Sequence, residues 1–156
     1  MLVYLLRHGE AEQKAKNDEA RPLTRKGMLQ SREVVDRFLA RAPIIDKAMM
    51  SPLERARQTA ATLRTGFPTL RFEISDLLKP SQDPYKLLEA LGRSRGKYIL
   101  LVGHNPCLSS LMALMLDGII ETGRNIGTSE LVCISMEEPI PGFGELLYTI
   151  TPEGDA

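Results

Sequence analysis

Leu2-Val3-Tyr4-Leu5-Leu6-Arg7-His8-Gly9-Glu10 stands at the start of the chain, and Lys97-Tyr98-Ile99-Leu100-Leu101-Val102-Gly103-His104-Asn105-Pro106 repeats its plan in the second half. In each, an apolar run of strand length stops at a short polar stretch that contains a histidine. Continuous apolar runs of this kind suit strands covered on both faces, as in a mostly parallel sheet. Besides Leu2–Leu6 and Lys97–Val102, strands are expected at Ile44–Met50, Leu70–Ile74, Glu130–Met136 and Glu145–Ile150. They alternate with stretches of helical period, which is the order of an α/β domain: three layers, a mostly parallel central sheet and helices on both faces. The last two strands, joined through Pro139, Pro141, Gly142 and Gly144, are expected as an antiparallel pair at the sheet edge.

Helix boundaries follow from capping residues and breakers. Thr24 is the expected cap of a first helix carrying Met28, Arg32, Val35 and Leu39 and ending before Pro43. Ser51 as cap with Pro52 at the first helical position predicts a second, with Leu53, Ala56, Ala60 and Leu63 inward and Gly66 and Pro68 closing it. A shorter helix is expected from Pro84 to Leu91. Pro106 opens another, whose Leu108, Leu111, Met112 and Met115 fall at i, i+3, i+4 and i+7 and form a core stripe. Gly118 to Thr128 reads as a loop.

The 156 residues suit one domain, 1–156, with no internal repeat. Lys plus Arg and Asp plus Glu each number 20, so the net charge is zero and nothing draws the whole molecule to nucleic acid or anionic lipid. Any anion site must be local. Cys107 and Cys133 lack paired ligand spacing and fit a reduced, cytoplasmic protein. No apolar run approaches the ~20 residues of a membrane span. Oligomeric state is not encoded in any spare apolar stripe, and a monomer is the default.

His8 and His104 both sit at strand carboxyl ends, the edge at which open α/β sheets bind ligands. The helices expected to begin at Ser51-Pro52 and at Pro106 point their N-termini at the same rim, which favours an anion. Arg7 adjoins His8, and Arg55 lies in the first turn of the second helix, so two guanidinium forks can meet phosphate oxygens. A neutral imidazole is a competent nucleophile near pH 7, and arginines can stabilise the charge spread over a transferring phosphoryl group without metal or organic cofactor. His104, when protonated, would add positive charge. Taken singly, each residue has an ordinary reading: a hydrogen-bonded structural histidine, a surface arginine paired with Glu10 or Glu12, a turn glycine at Gly9. The matched placement favours phosphoryl transfer. A metal site built from His8, His104 and Glu10 is the weaker alternative, because the arginines would oppose a cation.

Leu6-Arg7-His8-Gly9-Glu10 resembles the signature of the histidine phosphatase superfamily, the phosphoglycerate-mutase-like enzymes. Its companions follow in order: Arg21-Pro22-Leu23-Thr24 with Gly27, then Ser51-Pro52-Leu53-Glu54-Arg55-Ala56-Arg57-Gln58-Thr59-Ala60, then Gly103-His104-Asn105-Pro106. The resemblance implies a phosphoglycerate-mutase-like fold in which His8 becomes phosphorylated, Arg7, Arg55 and His104 complete the phosphate pocket, and Arg21 approaches the substrate. The short length and the Arg-Pro-Leu-Thr segment look most like the phosphohistidine phosphatases of the SixA type. Larger members carry an acid for the leaving oxygen in a long insertion; this chain is compact there, offering Glu73, Asp76, Asp83 and the SixA-like Leu77-Leu78-Lys79-Pro80. Phosphohistidine needs that acid least, since its imidazole leaves readily once its ring is protonated. The expected substrate is therefore phosphohistidine, on a protein or as a free phosphoramidate. A small-metabolite phosphatase using Asp76 or Asp83 as acid, and a non-catalytic module that binds phosphoprotein, are the other readings.

Overall fold

The computed structural model describes residues 1–156. Seven strands form one sheet: β1 (Leu2–Arg7), β2 (Lys47–Met50), β3 (Phe72–Ile74), β4 (Tyr98–Gly103), β5 (Leu131–Ser135), β6 (Glu145–Thr151) and β7 (Gly154–Asp155). Their spatial order is β3-β2-β4-β1-β5-β6-β7. The first four in that order run parallel, and β5, β6 and β7 continue the sheet antiparallel. Four α-helices cover it: α1 (Arg25–Ala40), α2 (Glu54–Ala61), α3 (Pro84–Arg93) and α4 (Cys107–Asp117).

Alternation along the strands builds two cores. Val3 and Leu5 of β1, Ile99 and Leu101 of β4, and Val132 and Ile134 of β5 pack with α3 and α4 through Leu87, Leu91, Leu108 and Leu111. Tyr4, Leu6, Leu100, Val102, Leu131 and Cys133 point to the opposite face and pack with α1 and α2 through Val34, Phe38, Ala56 and Ala60. Tyr4 and Phe38 meet edge to face at 5.0 Å. Cys107 and Cys133 lie in different cores, both as free thiols. No helix is long and apolar enough to cross a membrane.

Several boundaries differ from expectation. Ile44 and Ile45 lie outside β2, Ile44 being exposed, and Asp46 instead accepts hydrogen bonds from the Lys97 and Tyr98 amides. The second helix is shorter than predicted: α2 ends at Ala61 and passes into a 3₁₀ turn, Thr62–Thr65. Its start is also displaced. Leu53, not Ser51, is the N-cap, with no side-chain cap, and the Ser51 hydroxyl instead accepts the Leu53 amide and meets His104. Pro106 is likewise the residue before α4. The short β7 and the 3₁₀ turns Asp18–Ala20 and Asp76–Leu78 were not foreseen.

Gly27 marks where α1 meets the end of β1. A methyl group there would collide with the backbone carbonyl of Glu10, which cannot yield as a flexible side chain can. Alanine gains about 1 kcal/mol of helix propensity over glycine, yet the overlap with main chain outweighs it. Gly27→Ala is expected to destabilise the fold by about 3 kcal/mol, a loss of roughly 6–12 °C in Tm readable by thermal denaturation.

Candidate active site

The register of the central strands decides what meets at the carboxyl edge. β1 pairs with β4 so that Arg7 lies beside Gly103, and the His8 amide continues the ladder by donating to the Gly103 carbonyl at 3.1 Å. His8 and His104, one residue beyond each strand, are thereby neighbours, with ring centroids 4.8 Å apart. On the far side of β4, the Ser51 amide donates to the Val102 carbonyl at 3.0 Å, bringing the end of β2 to the same rim. α1 leaves β1 over one face of the sheet and α4 leaves β4 over the other, which opens the crevice between these two strands.

His8 is fixed by its own neighbour. Its Nδ1 lies 2.7 Å from the Gly9 carbonyl, and since a carbonyl only accepts, Nδ1 carries the proton and Nε2 keeps the lone pair. Gly9 is anchored in turn: its amide donates to Thr59 Oγ1 at 3.1 Å, and that hydroxyl donates to the Arg55 carbonyl at 2.8 Å. Thr59 thus ties the helix that bears Arg55 to the loop that bears His8. Gly9 has no left-handed backbone; a side chain there would press on the Gly27 carbonyl and Ser31 Oγ, each 2.7 Å from the added carbon, so close packing against α1 explains the glycine.

The arginines turn inward. Arg7 Nη1 donates to the Ile126 carbonyl at 3.0 Å, so Arg7 is no surface partner of Glu10 or Glu12. Ile126 is itself held by the motif that follows His104. Asn105 Nδ2 donates to the Ile126 carbonyl at 2.9 Å, and Ser109 Oγ accepts the Ile126 amide at the same distance. Arg55, 5% exposed, donates through Nη1 to the Asp18 carbonyl at 2.8 Å and through Nη2 to the Asp18 carboxylate at 3.3 Å. Arg21 is further out, donating to the Glu12 carbonyl at 2.6 Å and to Asp18 Oδ1 at 3.0 Å.

His104 Nε2 is 2.7 Å from Ser51 Oγ, which also accepts the Leu53 amide at 3.2 Å. The Ser51 proton is then free to go to Nε2, leaving Nδ1 as the donor. His104 Nδ1 and Arg7 Nε are buried and have no hydrogen-bond partner within the protein. Two unpaired nitrogens beside His8 are costly to bury unless they serve a ligand.

Both imidazoles are held neutral. Burial, reinforced by Arg55, Arg7 and Arg21 and partly opposed by the Gly9 hydrogen bond, lowers the His8 pKa to about 4. Burial, then His8 and Arg55, lowers that of His104 to about 3, with Asp18 opposing. The positively charged His104 envisaged from sequence is therefore disfavoured in the free protein. The unfolded chain, with ordinary histidines near pH 6.5, binds more protons as pH falls from 6.5 toward 4, so the fold loses stability across that window. NMR titration of the free protein is expected to show both rings neutral down to about pH 5, with no imidazole titrating near 6.5.

The remaining sequence candidates are occupied elsewhere. Asp83 caps α3 by accepting the Tyr85 amide, and Asp76 pairs with Lys79 at 3.5 Å on the surface. Glu10 accepts the Thr24 hydroxyl at 2.7 Å at the start of α1, and no three His, Cys, Asp or Glu side chains gather as a metal-binding group.

The model of the histidine phosphatase superfamily (branch 1) matches residues 3–79. A phosphohistidine phosphatase SixA homolog of Haemophilus influenzae is 30% identical, the alignment covering 72% of this chain and 76% of the relative. The chain belongs to the histidine phosphatase superfamily. The phosphohistidine phosphatase SixA of Escherichia coli is 28% identical over 97% of this chain and 94% of that one. A solved structure of the protein histidine phosphatase SixA complexed with tungstate superposes with a TM-score of 0.86 at 27% identity, covering 97% of each chain.

In this histidine phosphatase the rings of His8 and His104 lie together, with the Arg7 and Arg55 charges acting on both; sequence reasoning missed three supports. Thr59 was legible as the residue one helical turn after Arg55. Ser51 was read as a helix cap, a role its Ser-Pro signature suggests equally well. Asp18 gave no signal, lying in the polar stretch Gln13–Ala20 without periodicity.

Proposed function

We propose that this chain is a phosphohistidine phosphatase working through a covalent phospho-His8 intermediate, with Arg7, Arg55 and His104 binding the phosphoryl group and Arg21 at its margin. The observation that carries the reading is the His8 Nδ1 hydrogen bond to the Gly9 carbonyl, which leaves Nε2 as an unprotonated nucleophile among those three side chains. Nε2 attacks phosphorus in line with the departing ring nitrogen, and charge on the equatorial oxygens is met by donors already in place, among them Arg7 Nε and His104 Nδ1. Phospho-His8 then carries phosphorus on Nε2 and a proton on Nδ1. It is an imidazolium held by Gly9, hence a good leaving group when water attacks in the second step.

The leaving group of the first step points to the substrate class. Asp76 and Asp83 are committed to Lys79 and to the α3 cap, which disfavours either as the acid an alkyl ester would need. Phosphohistidine does without one. The relatives named as phosphohistidine phosphatases agree with this choice. A single domain acting in the cytoplasm on a phosphohistidine-bearing protein completes the proposal, in keeping with two buried free thiols. The test compares hydrolysis of a phosphohistidine protein with a panel of alkyl and aryl phosphates. Preference for phosphohistidine supports the proposal, and good turnover of alkyl esters with phosphohistidine untouched refutes it.

A further inference from the structure

Asp18 touches both arginines at the margin of the site, yet phosphate binding gives no reason for it. Its carbonyl and Oδ2 hold Arg55 and its Oδ1 holds Arg21, while its side chain remains 61% exposed. The carboxylate therefore keeps acceptor capacity on its outer side. There it borders an open hollow of about 580 Å³ that it shares with Gln13, Lys14, Ala15, Asn17 and Arg21. A negative charge next to the arginines of a phosphate pocket repels a phosphate dianion and competes for its donors. Orientation of Arg55 does not require that charge, because the backbone carbonyl of residue 18 already takes Nη1.

A phosphohistidine substrate supplies the missing reason. Once phosphorylated on one ring nitrogen and protonated on the other, its imidazole is a cation with one N–H to donate. We propose that Asp18 is a specificity-determining residue whose carboxylate accepts that N–H and so selects phosphohistidine over phosphate esters; the inference rests on the function proposed above. In the transfer, the bond from His8 Nε2 to phosphorus forms as the substrate's P–N bond breaks. The electron pair of the broken bond returns to the ring nitrogen, the proton facing Asp18 stays on the other, and the imidazole departs neutral. No proton has to be supplied. An ester offers no such N–H, and Asp18 only repels it. The hydrogen bond from Arg21 and the charge of Arg55 hold the Asp18 carboxyl below its ordinary range, so it stands ready as an ionised acceptor.

Asp18→Asn tests this, since it keeps side-chain size and the backbone carbonyl on Arg55 while removing the only negative charge of a hollow that also holds Lys14 and Arg21. kcat/KM is measured for a phosphohistidine protein and for p-nitrophenyl phosphate, together with inhibition by inorganic phosphate. The ratio of phosphohistidine to ester turnover is expected to fall about tenfold or more, and phosphate is expected to inhibit more tightly. Equal change on both substrates would show that Asp18 only orients Arg55, and would overturn the proposal while the wild type's turnover of phosphohistidine stands. A wild type inert toward phosphohistidine would overturn the substrate reading itself, and this inference with it.

Discussion

Alanine at position 8 lowers turnover of phosphohistidine by roughly 10⁴-fold or more, the scale on which enzymes lose activity with their nucleophile. The fold survives the change. His8 belongs to neither core, and its one side-chain hydrogen bond is to its own neighbour, Gly9. Circular dichroism and Tm are therefore expected to stay near those of the wild type. Arg7, Arg55 and His104 remain, so phosphate still binds and competes with substrate. That pattern, intact fold and retained anion binding with turnover gone, separates a nucleophile from a residue that shapes the pocket. A loss of tenfold or less, in a protein still folded, would point to attack by water without His8.

Arg55→Ala is expected to cost about 10²–10³ in kcat, the usual effect of removing one preorganised donor from a developing oxyanion. Arg55 is 5% exposed and spends two nitrogens on residue 18, so its guanidinium is fixed before any ligand arrives. Its removal also lifts one of the charges that depress His8, so the His8 pKa moves up toward ordinary imidazole. A larger share of His8 is then protonated at pH 6, and the variant's residual activity falls with acidity earlier than the wild type's. Lysine at 55 rescues poorly, because an ammonium cannot reproduce a two-pronged contact. Inhibition by inorganic phosphate should weaken in parallel with kcat/KM. Unchanged phosphate inhibition would remove Arg55 from the pocket.

The layers and the strand identities were legible because β1 and β4 are uninterrupted apolar runs, and two-sided burial follows from that pattern. The meeting of His8 with His104 was legible only as a consequence of topology, since both close a central strand. The register that makes it exact, Arg7 beside Gly103, is a parallel pairing between segments far apart in the chain and leaves no local trace. Ser51 shows the limit more sharply. Ser-Pro before a helical stretch is an ordinary start signal, and only the arrival of β4 beside β2 turns that hydroxyl to His104. Ile44 and Ile45 failed in the other direction: an apolar run of strand length was expected to pair from Ile44 onward, but the segment after Pro43 lies outside the strand, which begins at Lys47. Asp18 has neither pattern nor capping role, and its contacts arise because an irregular loop folds back over α2.

The central claim is tested most directly by quenching the enzyme during turnover of a ³²P-labelled phosphohistidine substrate and mapping the label by peptide. An acid-labile, alkali-stable phosphate on His8, absent from His8→Ala and chased by unlabelled substrate, is the expected result. Label on another residue, or turnover that continues in His8→Ala without any phosphoenzyme, would contradict it.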